Sequence, residues 1–241
     1  MSDQPVDFFG QGVNATVKAG TKCPPLSPEL MIGLGGYSCK TQEDTDPEAG
    51  SSSPDKIMLG WKKEIPRWKK GSVVTWAANY NGYPVQGQAA YAANKLNDAA
   101  NEWNALDLGV SFKWIDDRDK ANFVLKYSST AGNTLAVSFF PNQDLGNNVT
   151  VFQTAFDPRN IQIMKNVFLH ELGHALGLRH EFAAVEGDFV PFGSKNEKSV
   201  MSYNFPPTMQ DSDVKDTKAF YAYTGASIGT YNISDKVPQP H

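Results

Sequence analysis

An α+β fold is what this 241-residue sequence predicts: a twisted sheet with two helices, then an irregular part ending in a helix. Three observations predict it. Short runs of β-forming residues recur between positions 72 and 154. An alanine-rich stretch among them carries an apolar stripe at helical spacing. A second run of helical periodicity follows the last β-run and a third lies near the C-terminus.

In chain order, 72–77 reads as a strand. The stretch 85–106 reads as a helix whose stripe is Ala89, Ala92, Ala93, Leu96, Ala100 and Trp103. Strands follow at 110–115, 122–127, 135–140 and 149–154, each rich in β-formers or alternating. The helix 161–176 places Ile163, Val167, Leu169, Leu172 and Leu176 at helical intervals, and Asp157-Pro158 supplies a cap and first-turn pair. The last helix spans 210–223, with Asp211 or Ser212 as its cap.

Residues 1–55 differ from 56–241. They hold three lysines against eight acidic residues, and 41–55 is acidic, rich in serine and proline, and aperiodic. This stretch reads as a linker, and 1–55 as a flexible N-terminal segment. The net charge of −4 gives no support to nucleic-acid binding. No apolar run has the length of a transmembrane span. The first residues lack the basic start and apolar core of a secretory signal, so the chain is intracellular or has already lost one. Acceptor triplets for N-glycosylation begin at Asn14, Asn148 and Asn232, and matter only on a secreted chain. Nothing in the sequence fixes the oligomeric state.

The chemistry concentrates at residues 170–180, His-Glu-Leu-Gly-His-Ala-Leu-Gly-Leu-Arg-His. The chain has four histidines, and three stand here; the fourth is His241. His170 and His174 are four apart on a helix, so they stack on one face and can share one zinc ion. Gly177 tolerates the left-handed conformation that ends a helix with a sharp turn, letting His180 swing back as a third ligand. Three protein ligands leave zinc an open position, the catalytic arrangement. A closed site needs a fourth ligand, and no cysteine occurs after Cys39. Glu171 stands beside the first ligand as general base toward a zinc-bound water.

The pattern His-Glu-x-x-His-x-x-Gly-x-x-His resembles the signature of the metzincin metallopeptidases. Ser199-Val200-Met201-Ser202-Tyr203 resembles the Met-turn that completes it. The resemblance implies that Met201 is an apolar floor beneath the ligands. It implies that Tyr203 ligates zinc or supports the transition state, as in astacins and serralysins. Glu181 after His180 looks astacin-like, while the Met-turn looks serralysin-like. The chain lacks the catalytic-domain cysteines usual in astacins and the calcium repeats that follow serralysin domains.

The implied fold is a zincin one, with a mostly parallel sheet, an antiparallel edge strand, an active-site helix and a C-terminal helix, as a catalytic domain over 56–241. The edge at 136–140 is expected to bind substrate as an added strand, or else to be an ordinary core strand. The loop 204–209 is expected to line the pocket beyond the scissile bond. The implied reaction is peptide-bond hydrolysis with Glu171 as base, Zn2+ as cofactor, and a protein or peptide as substrate. A secreted location is implied as well. So is latency: residues 1–55 would be a propeptide whose Cys23 or Cys39 covers the zinc, unless the two cysteines form a disulfide. The pairs Lys62-Lys63 and Lys69-Lys70 are cleavage sites or surface charge. Two rival functions remain: a catalytically silent, zinc-containing peptide-binding module, and a zinc hydrolase of non-peptide bonds.

Overall fold

The computed structural model describes residues 39, 41, 57–59, 64–129, 132–142, 146–180, 190–193, 196–202 and 204–241. The first half contains β1 (Ile57–Leu59), β2 (Glu64–Trp68), β3 (Val73–Ala78), helix α1 (Gln88–Asn104), β4 (Ser111–Trp114) and β5 (Phe123–Ser128). Then come β6 (Ala136–Val137), β7 (Asn147–Phe152), helix α2 (Met164–Ala175), β8 (Leu178–Arg179) and β9 (Val190–Phe192). Helix α3 (Asp211–Ala222), β10 (Ser227–Ile228) and β11 (Tyr231–Lys236) complete the order.

The central sheet runs β4-β3-β5-β7-β6. The pairs β3–β4, β3–β5 and β5–β7 are parallel, and the short edge strand β6 is antiparallel to β7. Helices α1 and α2 pack together and bury Leu96, Ala99, Trp103, Phe168, Leu169 and Leu172 with sheet residues Trp76, Phe123, Leu125 and Val149. Burying large apolar side chains is the main force holding such layers.

Several boundaries differ from expectation for local reasons. Helix α1 begins three residues later than predicted, after Gly87 at φ 89°. Asp157 does not cap α2: its carbonyl accepts from Asn160 and Ile161 N–H at 2.9 Å each, closing a separate turn. A 3-10 turn (Ile161–Ile163) then leads straight into α2 with no side-chain cap. The strand expected over 135–140 pairs only at Ala136 and Val137. Beyond it Phe139 packs on Trp68 and Phe123, and Phe140 sits edge-on to His174. The cap of α3 is Gln210, not Asp211 or Ser212: the Gln210 N–H donates to Asp213 Oδ2 at 2.8 Å.

The expectation that the C-terminal part is irregular and ends in a helix is corrected. After α3 the chain continues into β10 and β11, and β11 lies parallel to β2. Arg67 on β2 ties this corner together. It donates to Asp235 at 2.7 Å, to the Phe220 carbonyl at 2.6 Å and to the Tyr223 carbonyl at 3.0 Å, satisfying carbonyls that α3 leaves open. Lys69 and Lys70 are exposed at the turn between β2 and β3. Among the described residues no helix is long and apolar enough to cross a membrane.

Candidate metal centre

Helix α2 carries His170, Glu171 and His174, all buried. Four side chains from other elements fix its position. Trp103 of α1 donates to the Leu169 carbonyl at 2.9 Å, and Tyr91 of α1 to the Ile161 carbonyl at 2.8 Å. At the other end, Trp68 and Tyr221 donate to the carbonyls of Ala175 (2.7 Å) and Leu176 (2.9 Å). These are carbonyls that a helix C-terminus leaves without partners.

Gly177 makes the turn at φ 95°. A Cβ there would fall 2.3 Å from the carbonyl oxygen of Pro66, so glycine is required by conformation and by space. Strand β8 then pairs antiparallel with β1, Met58 opposite Arg179, and delivers His180 to the cluster.

The ring orientations are set from behind. His170 Nδ1 donates to the Val200 carbonyl and His174 Nδ1 to the Leu178 carbonyl, both at 2.8 Å. A carbonyl only accepts, so Nδ1 bears the proton in each ring and Nε2 keeps its lone pair for a metal. The three Nε2 atoms converge: His174 to His180 is 3.1 Å and His180 to His170 is 3.2 Å. Burial lowers the pKa of His170 to about 4. Burial, then the neighbouring imidazoles, hold His174 and His180 well below the usual histidine value. All three rings are therefore neutral, the form in which an imidazole can bind a metal.

A fourth donor is present. Cys39 Sγ lies 3.5 Å from His174 Nε2, and its ligand atom and those of the three histidines lie within 4.8 Å of one another. Tetrahedral zinc with Zn–N near 2.0–2.1 Å and Zn–S near 2.3 Å spaces its ligands about 3.3 Å (N to N) and about 3.6 Å (N to S) apart. The pairs His174–His180, His180–His170 and Cys39–His174 lie close to that spacing, and nitrogen with sulfur is a zinc-type donor combination. The absence of cysteine after position 39 does not exclude a fourth donor, because Cys39 itself is gathered with the three histidines. Cys39 is a buried free thiol, so the disulfide alternative is not the state seen; Cys23 lies outside the described residues. Burial, and then the charge of Glu171, raise the Cys39 pKa well above the ordinary value.

Glu171 has both oxygens engaged. Oε1 lies 3.4 Å from Cys39 Sγ, and Oε2 accepts from the Thr41 hydroxyl at 2.9 Å. Burial raises its pKa to about 7, against the lowering effect of these hydrogen bonds. The Thr41 oxygen also accepts from the Ser138 N–H, 2.9 Å away, just past β6.

Beneath the ligands, Met201 is fully buried, and a Cβ on Gly173 would fall 2.3 Å from its Sδ. Met201 is thus the floor under α2. Asp213 anchors the turn that carries it, accepting from Ser199 Oγ at 2.7 Å and from the Val200 N–H at 2.9 Å. A small cavity beside Glu171 is lined by Leu135, Ala136, Val167, His170, Cys39 and, from the 204–209 loop, Phe205. Tyr203 and Glu181 lie outside the described residues.

Sequence reasoning named the three histidines, Glu171, Met201 and, as one of two candidates, Cys39. It missed Thr41 and Asp213. The signal for Thr41 was its place two residues after a candidate cysteine. Asp213 stood in the first turn of a helix, where an acid is ordinary.

Converging imidazole nitrogens, an adjoining carboxylate and a methionine floor define a metallopeptidase type of site. Residues 70–183, which hold the sheet, α1, α2 and all three histidines, match the family model of the dual-action HEIGH metallo-peptidases. The protein is a zinc metallopeptidase. No curated protein matches the chain.

Proposed function

We propose that the protein is a zinc endopeptidase of the metzincin kind, near astacins, with a serralysin-like Met-turn, and that the structure describes its latent form. The observation that carries this is the placing of Glu171 against a three-imidazole cluster below a sheet edge. His170, His174 and His180 would hold the zinc, which when bound supplies a Lewis acid and an acidified water. Glu171 takes a proton from the attacking water and returns it to the leaving amine. Tyr203 is assigned to the developing oxyanion. The substrate backbone pairs along the edge at β6 and Ser138. Residues 1–55 act as a propeptide, with Cys39 as the covering ligand.

The test is digestion of an unfolded protein by the full zinc-loaded chain carrying Cys39→Ala and Thr41→Ala, beside the same chain with Glu171→Ala added. The first should cut; the second should bind zinc and not cut. The rival reading, a silent peptide-binding zinc module, is favoured by one observation, the fourth donor that closes the metal site. It requires that neither chain cut, although both are folded and zinc-bound.

A further inference from the structure

We propose that Thr41 is a second anchor of the inhibitory segment, independent of the metal, which occupies the general base and the substrate edge together. This rests on the latent-peptidase reading above and deepens it. The Thr41 oxygen lies 2.9 Å from Glu171 Oε2 and 2.9 Å from the Ser138 nitrogen. Hydrogen-bond chemistry fixes the directions. An amide N–H only donates, so Thr41 accepts from Ser138; a carboxylate accepts, so the single hydroxyl hydrogen goes to Glu171. One hydroxyl therefore uses its hydrogen on the base and a lone pair on the edge.

Two consequences follow. With Cys39 beside Oε1 and Thr41 on Oε2, each oxygen of Glu171 already has a neighbour from the N-terminal segment competing with water for it. The Ser138 N–H follows directly on β6, where an extended substrate would find its next donor, and a side chain already holds it. Freeing the metal of its thiol leaves both contacts in place. Each anchor also raises the local concentration of the other, so release of one alone unmasks only part of the activity.

The experiment uses the full zinc-loaded chain as wild type, Cys39→Ala, Thr41→Val and Thr41→Ser. Hydrogen exchange at the Ser138 amide reports the Thr41 anchor without any need for turnover. Replacing zinc by cobalt gives a thiolate-to-metal absorption band that reports Cys39. Thr41→Val should speed Ser138 exchange by roughly tenfold, as loss of one hydrogen bond does, while keeping the cobalt band. Cys39→Ala should lose the band and keep Ser138 protected, and Thr41→Ser should behave as wild type. Unchanged Ser138 exchange in Thr41→Val, or full release of Ser138 by Cys39→Ala alone, overturns the proposal. If exchange behaves as stated but a Cys39→Ala/Thr41→Val chain never cuts protein, the anchor stands and the peptidase reading falls.

Discussion

Gly173 and Met201 meet so closely that no side chain fits between them: a Cβ on Gly173 would lie 2.3 Å from the Met201 sulfur and 3.4 Å from the Trp103 ring. Gly173 precedes His174 directly, so the contact sets how deep α2 sits on its floor. Two effects oppose each other in Gly173→Ala. Helix propensity favours alanine by about 1 kcal/mol. Overpacking a filled core costs about 1–3 kcal/mol, and Met201 and Trp103 are both fully buried. The clash wins, and thermal melts should show a net loss of about 1 kcal/mol. In a Met201→Ala background the clash is gone, so the same change should stabilise. Destabilisation in both backgrounds would show that Met201 is not the obstacle.

Gly177 is more tightly constrained, because its obstacle is backbone. Alanine at φ 95° is strained by about 1–2 kcal/mol, and its Cβ would meet the Pro66 carbonyl at 2.3 Å. The relief is to move β8, and with it His180. Gly177→Ala should therefore weaken zinc binding by at least about tenfold, the factor that a shift of about 1.4 kcal/mol gives. Zinc titration against a competing chelator measures it. Unchanged affinity would mean that His180 reaches the metal whatever the turn.

How much of this was readable in the sequence depends on the range of each contact. His170, Glu171 and His174 declare themselves because one helix carries them and helix geometry is local. His180 follows from one glycine. The alanine stripe of α1 and the β-rich runs of the central sheet gave their elements for the same reason. What was missed comes together from far apart. Strand β11 pairs with β2 across most of the chain, and neither strand has a motif of its own. Thr41 reaches Glu171 across 130 positions, and Asp213 reaches Ser199 from a different element. Polar residues at such junctions look like any surface threonine or helix-start aspartate until the fold juxtaposes them.

Asp213 offers a test by pH. Burial raises its pKa above the ordinary 3.8, and its donors, Val200 N–H, Ser199 hydroxyl and Gln210 N–H, offset this only in part. Between the ordinary pKa and the raised one, the folded chain keeps a proton that the unfolded chain has released. The stability this group contributes is therefore fullest below the unfolded pKa and falls as pH rises through the folded one. Asp213→Asn removes the titration, so the stability of wild type relative to this variant should decline with rising pH in the window just above 3.8. Denaturant melts across that range measure it, and an upward slope would reverse the assignment. Asp213→Ala, which strands buried donors, should cost about 3 kcal/mol and loosen His170 through the Val200 carbonyl.

Metal removal separates the ligands from the base. A ligand that binds only the folded state stabilises it by about 2.7 kcal/mol at a hundredfold excess over its Kd. Zinc should therefore raise the melting temperature of the wild-type chain by several degrees, and a chelator should reverse it. Replacing His170, His174 or His180 by alanine should abolish most of this increment, because each supplies one of the converging Nε2 atoms. Cys39→Ala should shrink it, since the sulfur completes the four-donor set. Glu171→Gln should leave it nearly intact, as the cluster that gathers the donors does not include Glu171. Loss of the zinc increment in Glu171→Gln would make Glu171 a ligand and remove it as the base.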